Sequence, residues 1–409
     1  MSLEALPVVG ERRIAVRVTA DALRQIRGGS PWLYDGSITS TSHEGAAGDL
    51  AVIFDGKRKF AAIGLWDPSS PIRVKVLHAG APVAIDAACW RGRLEVALER
   101  RRGLIDDDAT TAFRCVHGEN DAFPGLVVDR YDRTLVVKLY SPAWFPHLRL
   151  VVEQLVALVD PERVVVRLGR GVASGETFGL RDGDTVVGRP PATPIRFLER
   201  GLLMEADVVR GQKTGHFLDQ RDNRALVGAI ADGAHVLDVF ASTGGFSLAA
   251  AAGGAASVHL VDQSAPALDA AERNFALNRR RVQRCAVRRT VGDAFAVLEQ
   301  LGRHDERYDV VVIDPPSFAS NQAAVPRAVA AYARLARLGL PLVRPGGTFV
   351  QASCSSRVGA DQLGAAVLDA ARSLGLDVHV TRRTGHPVDH PIGFEHGEYL
   401  KALFLAVRG

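Results

Sequence analysis

The feature that most constrains this chain is a series of apolar segments in its second half, each with an aspartate at or near its end. These segments are HVLDVF at 235–240, SVHLVD at 257–262 and YDVVVIDPP at 308–316. Near-continuous apolar runs of this length are typical of strands buried on both faces. Because helical patterns separate them, they predict a parallel sheet covered by helices, with GGTFVQASC as a fourth strand.

Ligands of such folds bind outside the carboxyl ends of the strands. We therefore expect the chemistry of this chain at Asp238, Asp262, Asp314 and Cys354. After the second strand, Ser264 stands where the N-cap of the next helix is predicted.

The first half of the chain has a different texture. Up to about residue 80, short alternating apolar stretches such as RRIAVRV and RKFAAIGLW are broken by Gly, Asp and Pro, which predicts a small closed or half-closed β-structure. A mixed α+β pattern follows, and the proline-rich stretch at 188–194 is the best linker candidate. We predict three domains, at 1–80, 81–190 and 191–409.

Composition narrows the class of protein. The 47% hydrophobic and 23% charged residues are typical of a soluble globular chain. No run reaches the roughly 18 apolar residues of a membrane span, and the N-terminus lacks the pattern of an export signal, so we expect a cytoplasmic protein. The four cysteines form no CxxC or Cys/His cluster, so neither disulfides nor a metal site is predicted. The pI near 9.0 fits an anionic partner such as nucleic acid without requiring one.

The turn after the first strand, DVFASTGGF at 238–246, contains two glycines that let the backbone approach a ligand at a helix N-terminus. Taken alone, the turn also fits a tight βα connection without a ligand. It is not the GxGxxG pattern of a dinucleotide site. An acidic residue at the end of the next strand, Asp262, can accept hydrogen bonds from both ribose hydroxyls of an adenosine.

Asp293, in VGDAF, follows a further predicted strand. Its carboxylate could accept from an exocyclic amine, although by itself it fits a helix N-cap better. The ordered set of an acidic strand end, a glycine-rich turn, a second acidic strand end and this third aspartate is typical of class I S-adenosylmethionine methyltransferases. We therefore predict S-adenosylmethionine as the cofactor.

Asp314-Pro-Pro-Ser-Phe318 follows the third strand. The two prolines remove backbone donors and fix an extended turn that would direct Asp314 into the site. A rigid loop with a capping aspartate is the alternative. Motifs of this type occur in enzymes that methylate a planar base, either on an exocyclic amine or on a ring carbon, and the motif does not distinguish the two.

Cys354 favours the ring carbon. It ends the fourth predicted strand, whereas Cys89, Cys115 and Cys285 are expected to be inert small apolar side chains. C5 of cytosine or uracil is a weak nucleophile, so a thiolate must first add to C6. Asp314 could then hydrogen-bond the edge of the base near N3. An exocyclic-amine methyltransferase needs no such cysteine.

Over nearly its whole length the chain resembles the bacterial PUA-domain-containing 23S ribosomal RNA 5-methylcytosine methyltransferases. The matching stretches are GGSPWLYDGSI, GENDAFPGLVVDRY, KTGHFLDQRDNR, VFASTGGF, DPPSF, SCS, DHP and GEYLKAL. The resemblance implies a PUA RNA-binding barrel, a small α+β domain and a Rossmann-like catalytic domain, with Cys354 as nucleophile. Some related enzymes have a second cysteine after the prolines, but Ser317 and Phe318 stand there, so the group that removes the C5 proton is not identified.

The resemblance also places the stretch at 213–221 close to the cofactor, where Gln220 and Arg221 could bind the methionine carboxylate. The alternative is a helix N-terminus capped by Asp219 with Arg221 in solvent. The full predicted cofactor set is Gln220, Arg221, Asp238, Phe240, Ser242, Thr243, Gly244, Asp262, Gln263, Asp293, Ala294 and Asp314.

Ribosomal RNA (23S) is the predicted partner, and a homodimer is left open. Two arginine-rich stretches, 100–102 and 279–289, could contact RNA or form solvated faces. The rival functions are a 5-methyluridine or exocyclic-amine RNA methyltransferase, a non-catalytic RNA-binding ribosome-assembly protein, and a nicotinamide-dependent oxidoreductase, which the missing GxGxxG disfavours.

Overall fold

Contacts along the chain divide it into two units, neither of which is continuous in sequence. The structure is a computed structural model that describes residues 3–319 and 321–408. Unit 1 runs up to Leu198 and adds Ala206–Leu218 and Val388–Gly397, and unit 2 contains the remainder. The predicted boundaries near 80 and 190 divide the chain more finely than these units and stay a prediction.

The first part of unit 1 is a six-stranded sheet, as the alternating pattern indicates. Its order is β2-β6-β5-β4-β1-β3, with only the β1–β4 pair parallel. The helix α1 ends at Gly28, as its Gly-Gly sequence predicts, and Thr19 caps its start. The elements are β1 (Ile14–Val18), α1 (Ala20–Arg27), β2 (Trp32–Tyr34), β3 (Ile38–Thr41), β4 (Leu50–Phe54), β5 (Phe60–Trp66) and β6 (Ile72–Ala79).

The second part of unit 1 is a five-stranded sheet with order β11-β10-β9-β8-β7. Trp90, Phe123 and Trp144 pack with ring centroids 5.3–5.9 Å apart in its core, and burial of such large rings is a major source of stability. The elements are α2 (Ala87–Glu99), α3 (Arg102–Ile105), β7 (Ala112–His117), β8 (Leu126–Tyr131), β9 (Thr134–Leu139), α4 (Phe145–Val159), β10 (Arg163–Leu168), α5 (Arg170–Ala173) and β11 (Thr185–Val187).

Buried ion pairs cross this core. Arg101, which is 0% exposed, donates to both carboxylate oxygens of Asp121 at 3.0 and 2.6 Å. The partly exposed Arg100 donates to Asp121 too, whereas Arg102 forms an exposed pair with Glu99. The prediction that residues 100–102 could contact RNA is therefore wrong for Arg101, because a fully buried guanidinium cannot reach a phosphate.

The segment Val388–Gly397, which carries the DHP motif, belongs to unit 1 although it is close to the chain's end. Asp389 accepts from the backbone N of Arg114 at 2.9 Å, and its carbonyl accepts from Arg101 at 2.8 Å. Phe394 stacks edge-on against Trp32, with ring centroids 5.0 Å apart. These contacts join unit 1 to residues that are far away in sequence.

Two strands, β12 (Ile195–Glu199) and β13 (Leu202–Ala206), lie where the chain passes between units. Unit 2 then contains α6 (Arg221–Ala229), β14 (His235–Val239), α7 (Gly245–Ala252), β15 (Ser257–Asp262), α8 (Ala265–Leu277), α9 (Arg279–Val282), β16 (Ala286–Val291), α10 (Ala294–Arg303), β17 (Tyr308–Ile313), α11 (Val325–Gly339), β18 (Val343–Ser353), α12 (Ala360–Ser373), β19 (Val378–Thr384) and β20 (Lys401–Val407).

The sheet of unit 2 has the order β16-β15-β14-β17-β18-β20-β19. Its first five strands are parallel, and β20 is antiparallel to both of its neighbours. The predicted α/β fold is confirmed. The strand order reverses between β14 and β17, and the carboxyl ends of strands at such a point form the crevice where ligands bind in open α/β sheets. No helix within the described ranges has the length and apolar character to cross a membrane.

Candidate active site

The predicted chemistry-bearing residues of unit 2 lie at the carboxyl edge of its parallel sheet. Asp238 precedes the last residue of β14, Asp262 ends β15, Asp314 follows β17 and Cys354 follows β18. The structure therefore brings all four to one edge, on both sides of the point where the strand order reverses.

A glycine-rich turn connects β14 to α7. The backbone angle φ is +65° at Phe240, +48° at Ser242 and +76° at Gly244. A Cβ on Gly244 would lie 2.8 Å from the Cβ of Ala271, so this position combines a left-handed backbone with a space that only glycine fits. The turn brings the start of α7 close against α8 and leaves Ser242 and Thr243 half-exposed at the edge.

Asp238 is fully buried beneath this turn. Its Oδ2 accepts from the backbone N of Ser247 at 3.0 Å and from its hydroxyl at 2.7 Å, which fixes the first turn of α7. Its Oδ1 has no hydrogen-bond partner among the described residues. Burial raises the pKa of the Asp238 carboxyl to about 6, although the Ser247 bonds oppose that shift. A buried acceptor left without a donor fits a site that a ligand with N–H or O–H groups completes.

Asp262 is half-buried and holds the turn from the neighbouring strand. Its Oδ2 accepts from the backbone N of Ser242, and its Oδ1 from the backbone N of Ser264, both at 2.8 Å. A carboxylate has about four acceptor positions, so it can accept two further hydrogen bonds. Ser264 caps α8 through a bond from Ala267, as predicted.

Asp293 is the N-cap of α10. Its Oδ1 accepts from the backbone N of Ala296 at 3.0 Å, which confirms the interpretation that its sequence context favoured. The side chain is exposed, as is that of Gln263, whereas Ala294 is buried. An exposed carboxylate that uses one oxygen for capping can still accept from a ligand.

Gln220 and Arg221 begin α6, and both are buried. The Gln220 Oε1 accepts from the side-chain amide of Asn223 at 2.6 Å. The alternative interpretation, with Asp219 as the cap and Arg221 in solvent, is wrong, because Gln220 occupies the cap position and Arg221 is only 2% exposed. Asp219 instead accepts from the hydroxyl of Tyr399 at 2.9 Å.

The loops after β17 and β18 meet at the edge of the sheet. The thiol of Cys354 lies 3.9 Å from the carbonyl oxygen of Pro315, the residue that follows Asp314. Asp314 and Cys354 are both half-buried, so each is accessible from solvent. This places a thiol and a carboxyl on adjacent loops at the position where a substrate of this fold class binds.

Sequence reasoning missed Tyr332, a fully buried residue of α11 beneath the two loops. Its hydroxyl accepts from the Ser353 hydroxyl at 2.8 Å, and its ring lies 5.2 Å from that of Phe318. Burial raises the pKa of Tyr332 to about 12, and the charges of Cys354 and Asp314 contribute to that rise. Tyr332 therefore ties the DPPSF loop to the end of β18. Nothing in its helical surroundings distinguishes it from an ordinary core tyrosine.

Lys401, the first residue of β20, was also missed. It is only 5% exposed, and its Nζ donates to the carbonyls of Ser355 and Val358 at 2.7 and 2.6 Å. The sequence did contain one signal, a single lysine at the start of an apolar strand. Because lysine is almost never fully buried unless it is paired, this lysine could have been predicted to have a specific partner.

The arginine-rich stretch at 279–289 is mostly exposed. Arg281 donates to the Gly201 carbonyl, Arg288 pairs with Glu306, and Arg289 pairs with Asp269 and Glu272. The remaining three, Arg279, Arg280 and Arg284, have no ion-pair or hydrogen-bond partner in the described parts of the chain. RNA contact by this stretch stays a prediction.

Comparison with known proteins now identifies the family. Residues 116–405 match the family described as S-adenosylmethionine-dependent methyltransferase, and residues 16–79 match a PUA-like domain. The chain belongs to the S-adenosylmethionine-dependent methyltransferases. A "Ribosomal RNA large subunit methyltransferase" of Deinococcus radiodurans is 44% identical to it over 98% of each chain. The "Ribosomal RNA large subunit methyltransferase I" of Alteromonas mediterranea is 33% identical over 94% of this chain and 96% of its own.

Solved structures support the fold. A putative SAM-dependent methyltransferase from Streptococcus mutans superposes with a TM-score of 0.82 at 20% identity, and covers 96% of this chain and 100% of its own. A putative methyltransferase complexed with SAH gives a TM-score of 0.81 at 20% identity, over 97% of this chain and 100% of its own. The predictions of a methyltransferase fold with a PUA-like domain and of S-adenosylmethionine as cofactor are confirmed.

The edge of the sheet in this methyltransferase fits its cofactor. The orphaned oxygen of Asp238 and the remaining acceptor positions of Asp262 are suited to a ligand with amine and hydroxyl donors. The left-handed turn through Gly244 brings the N-terminus of α7 to this edge of the sheet, and a helix N-terminus favours anionic ligand groups.

Proposed function

We propose that this methyltransferase transfers a methyl group to C5 of a cytosine in 23S ribosomal RNA through a covalent adduct between Cys354 and C6. The observation that carries the proposal is the position of the Cys354 thiol, 3.9 Å from the Pro315 carbonyl and on the loop next to Asp314. A transfer to an exocyclic amine would leave this thiol without a role.

The chemistry of C5 requires such a group. The thiolate of Cys354 adds to C6, and electron density moves to C5 and to the N3 edge of the base. When bound, S-adenosylmethionine supplies the electrophilic methyl group. Loss of the C5 proton and expulsion of the thiolate then restore the aromatic ring, so Cys354 is regenerated.

Asp314 acts on the polar edge of the base. A protonated carboxyl donates to N3, where negative charge collects in the adduct, and an ionised carboxylate accepts from the N4 amine. The prolines after Asp314 keep its loop extended and remove backbone donors that would compete for the carboxyl.

The cofactor is held by the elements around the glycine-rich turn. Asp262 binds the ribose hydroxyls, Asp293 accepts from the adenine amine, and Gln220 and Arg221 bind the methionine carboxylate after a local rearrangement, since both are buried. Asp238 acts chiefly by fixing the turn. The other cofactor contacts are Phe240, Ser242, Thr243, Gly244, Gln263, Ala294 and Asp314.

Ribosomal RNA as the substrate is supported by the names of the two relatives and by the PUA-like domain. The basic pI fits a phosphate-rich partner. On this proposal the protein acts in the cytoplasm, the domain at 1–80 binds RNA, and 191–409 carries the chemistry.

The test is methylation of ribosomal RNA from cells that lack the gene. The protein is incubated with labelled S-adenosylmethionine and this RNA, which is digested to nucleosides for mass spectrometry. Wild type is expected to form 5-methylcytidine, Cys354→Ala to form none, and the matched control Cys285→Ala to form as much as wild type. Label on an exocyclic amine, or an active Cys354→Ala, would contradict the thiolate mechanism, and 5-methyluridine would reassign the base.

A further inference from the structure

Lys401 lies close in the sheet to the proposed nucleophile Cys354, and the proposed mechanism gives this lysine no role. In the pairing of β18 with β20, Lys401 lies opposite Ser353, the residue before Cys354. Its ammonium donates to the carbonyls of Ser355 and Val358. Lys401 therefore fixes the loop that carries Cys354 through two of its carbonyls.

Burial of the charged Lys401 ammonium destabilises the folded protein unless its partners compensate. The strand that it begins is otherwise apolar and buried, and burial of a charged amine costs free energy unless partners compensate for it. Two neutral carbonyls satisfy two of its three N–H donors, and the third has no partner among the described residues. A methionine would fill the space without this cost, so the charge itself needs an explanation.

The electrostatic surroundings supply one. Burial lowers the pKa of the Lys401 amine, and the charges of Glu398 and of a Cys354 thiolate oppose that shift. Attraction between two charges is mutual, so the ammonium favours the thiolate as much as the thiolate favours the ammonium. The charges of both Cys354 and Asp314 act on Tyr332, which is neutral near pH 7, and the negative charge of Asp314 disfavours a thiolate at Cys354.

We propose that Lys401 is a positioning residue that fixes the Cys354 loop and stabilises the cysteine as a thiolate against the nearby Asp314. The inference rests on the proposed role of Cys354. It adds to that role the source of the charge that makes the thiol reactive at neutral pH. The alternative is a purely structural lysine that only ties the loop through its two carbonyl contacts.

Alkylation of Cys354 separates the two. The full-length protein is treated with iodoacetamide between pH 5 and 10, and the rate for the Cys354 peptide is followed by mass spectrometry. In Lys401→Met the midpoint of the rate against pH is expected to rise by about one pH unit or more, with a roughly tenfold slower reaction at pH 7. Lys401→Arg, which retains the charge, should keep most of the wild-type profile. Cys285, whose pKa burial raises to about 11, is the internal reference in each sample.

A purely structural lysine predicts a different result. If Lys401→Met folds with the wild-type melting temperature and its Cys354 profile is unchanged, the proposal is wrong. Neither S-adenosylmethionine nor RNA enters this experiment. The role of Lys401 can therefore fail while methylation at C5 stands, and the reverse is also true.

A second measurement avoids any change at Lys401, in case Lys401→Met does not fold. The chain contains only six lysines, so the ε-CH₂ groups of ¹³C-labelled lysine give few NMR signals to assign. Coupling between two sites is reciprocal. Cys354→Ala should therefore lower the midpoint of the Lys401 titration relative to wild type and leave that of Lys138, whose pKa burial also lowers, unchanged. An unchanged Lys401 midpoint would overturn the proposal.

Discussion

Two buried charged groups, Arg101 of unit 1 and Asp238 of unit 2, differ in how completely the chain satisfies them. In unit 1 the guanidinium of Arg101 is fully buried and meets both oxygens of Asp121. In unit 2 the fully buried Asp238 satisfies one oxygen with Ser247 and leaves the other without a donor among the described residues. The comparison teaches that Arg101 and Asp121 complete each other within the fold, whereas Asp238 fixes the turn above it with one oxygen and keeps a second acceptor at the strand end.

The largest expected effect comes from comparing Cys354, at the carboxyl edge of the sheet of unit 2, with the buried Cys115 of unit 1. Cys354→Ser should lower the methylation rate at least about a thousandfold, because a hydroxyl is a poor nucleophile at neutral pH, while stability stays within about 0.5 kcal/mol. Cys115→Ser, at a fully buried thiol, is expected to lower the free energy of unfolding and to leave the methylation rate of the folded protein near that of wild type. Single-turnover methylation and urea unfolding measure the two effects. A large loss of activity in Cys115→Ser that is not explained by unfolding would break the contrast.

Removing one partner of the buried Arg101–Asp121 pair should destabilise the protein strongly. Arg101→Leu leaves the carboxylate of Asp121 buried with its main partner removed, so the free energy of unfolding should fall by about 3–5 kcal/mol. Arg102→Leu removes an exposed pair with Glu99 and should cost less than about 1 kcal/mol. Urea unfolding of both variants provides the measurement. Similar small losses in both would show that the buried pair contributes no more than a surface pair.

The buried carboxyl of Asp238 should make the free energy of unfolding depend on pH. Its pKa of about 6 in the folded protein lies above the ordinary value of 3.8, so the protein binds this proton more tightly when folded. The contribution to stability is therefore complete below about pH 4 and is lost as the pH rises through 6, with a total of roughly 3 kcal/mol.

Asp238→Asn removes this dependence. Relative to wild type, the variant should gain stability between pH 4 and 7, and it should bind S-adenosylmethionine more weakly because the turn loses its anionic anchor. Urea midpoints at four pH values and calorimetry test both effects. A stability difference that is constant over this range would refute the raised pKa.

The glycine-rich turn offers a matched pair of substitutions. Gly244 and Gly233 both have a positive φ, but only at Gly244 does an added Cβ meet another atom. Gly233→Ala should cost about 1 kcal/mol through backbone strain alone. Gly244→Ala should cost about 1–2 kcal/mol more and weaken cofactor binding. Equal losses would mean that α8 moves to make room.

The smallest expected effect concerns the helix caps. Asp293→Ala and Ser264→Ala each remove one cap bond, worth about 1 kcal/mol. Only Asp293 is proposed to contact the adenine amine, so only Asp293→Ala should also raise the Kd for S-adenosylmethionine, by roughly tenfold. Calorimetry compares the two. Equal affinities would leave Asp293 as a cap and nothing more.

The sequence was most informative where local patterns decide the structure. The strands that carry Asp238, Asp262 and Asp314 were predictable from their apolar runs, and Ser264 and Asp293 were predictable as caps from their own neighbourhoods. Each of these features depends on residues within one element and the turn beside it.

What could not be predicted depends on contacts between distant elements. Lys401 meets the Cys354 loop only because β20 pairs with β18 in one register. Tyr332 reaches Ser353 only because α11 packs against that strand, and Arg101 looked like part of a surface run because Asp121 and Asp389 are distant in sequence. Periodicity within a segment carries no information on such partners.

The late segment Val388–Gly397 has a consequence for synthesis of the protein. Domains generally fold in the order in which they leave the ribosome, but unit 1 receives Asp389 and Phe394 only after residues 219–387 of unit 2 have been made. The residues of unit 1 up to Leu198 therefore cannot complete their contacts until Val388–Gly397 is made. Until then Arg101 lacks the Asp389 carbonyl. A truncated message that ends before codon 388 would therefore yield a chain with two unfinished units, not one finished unit and one missing one.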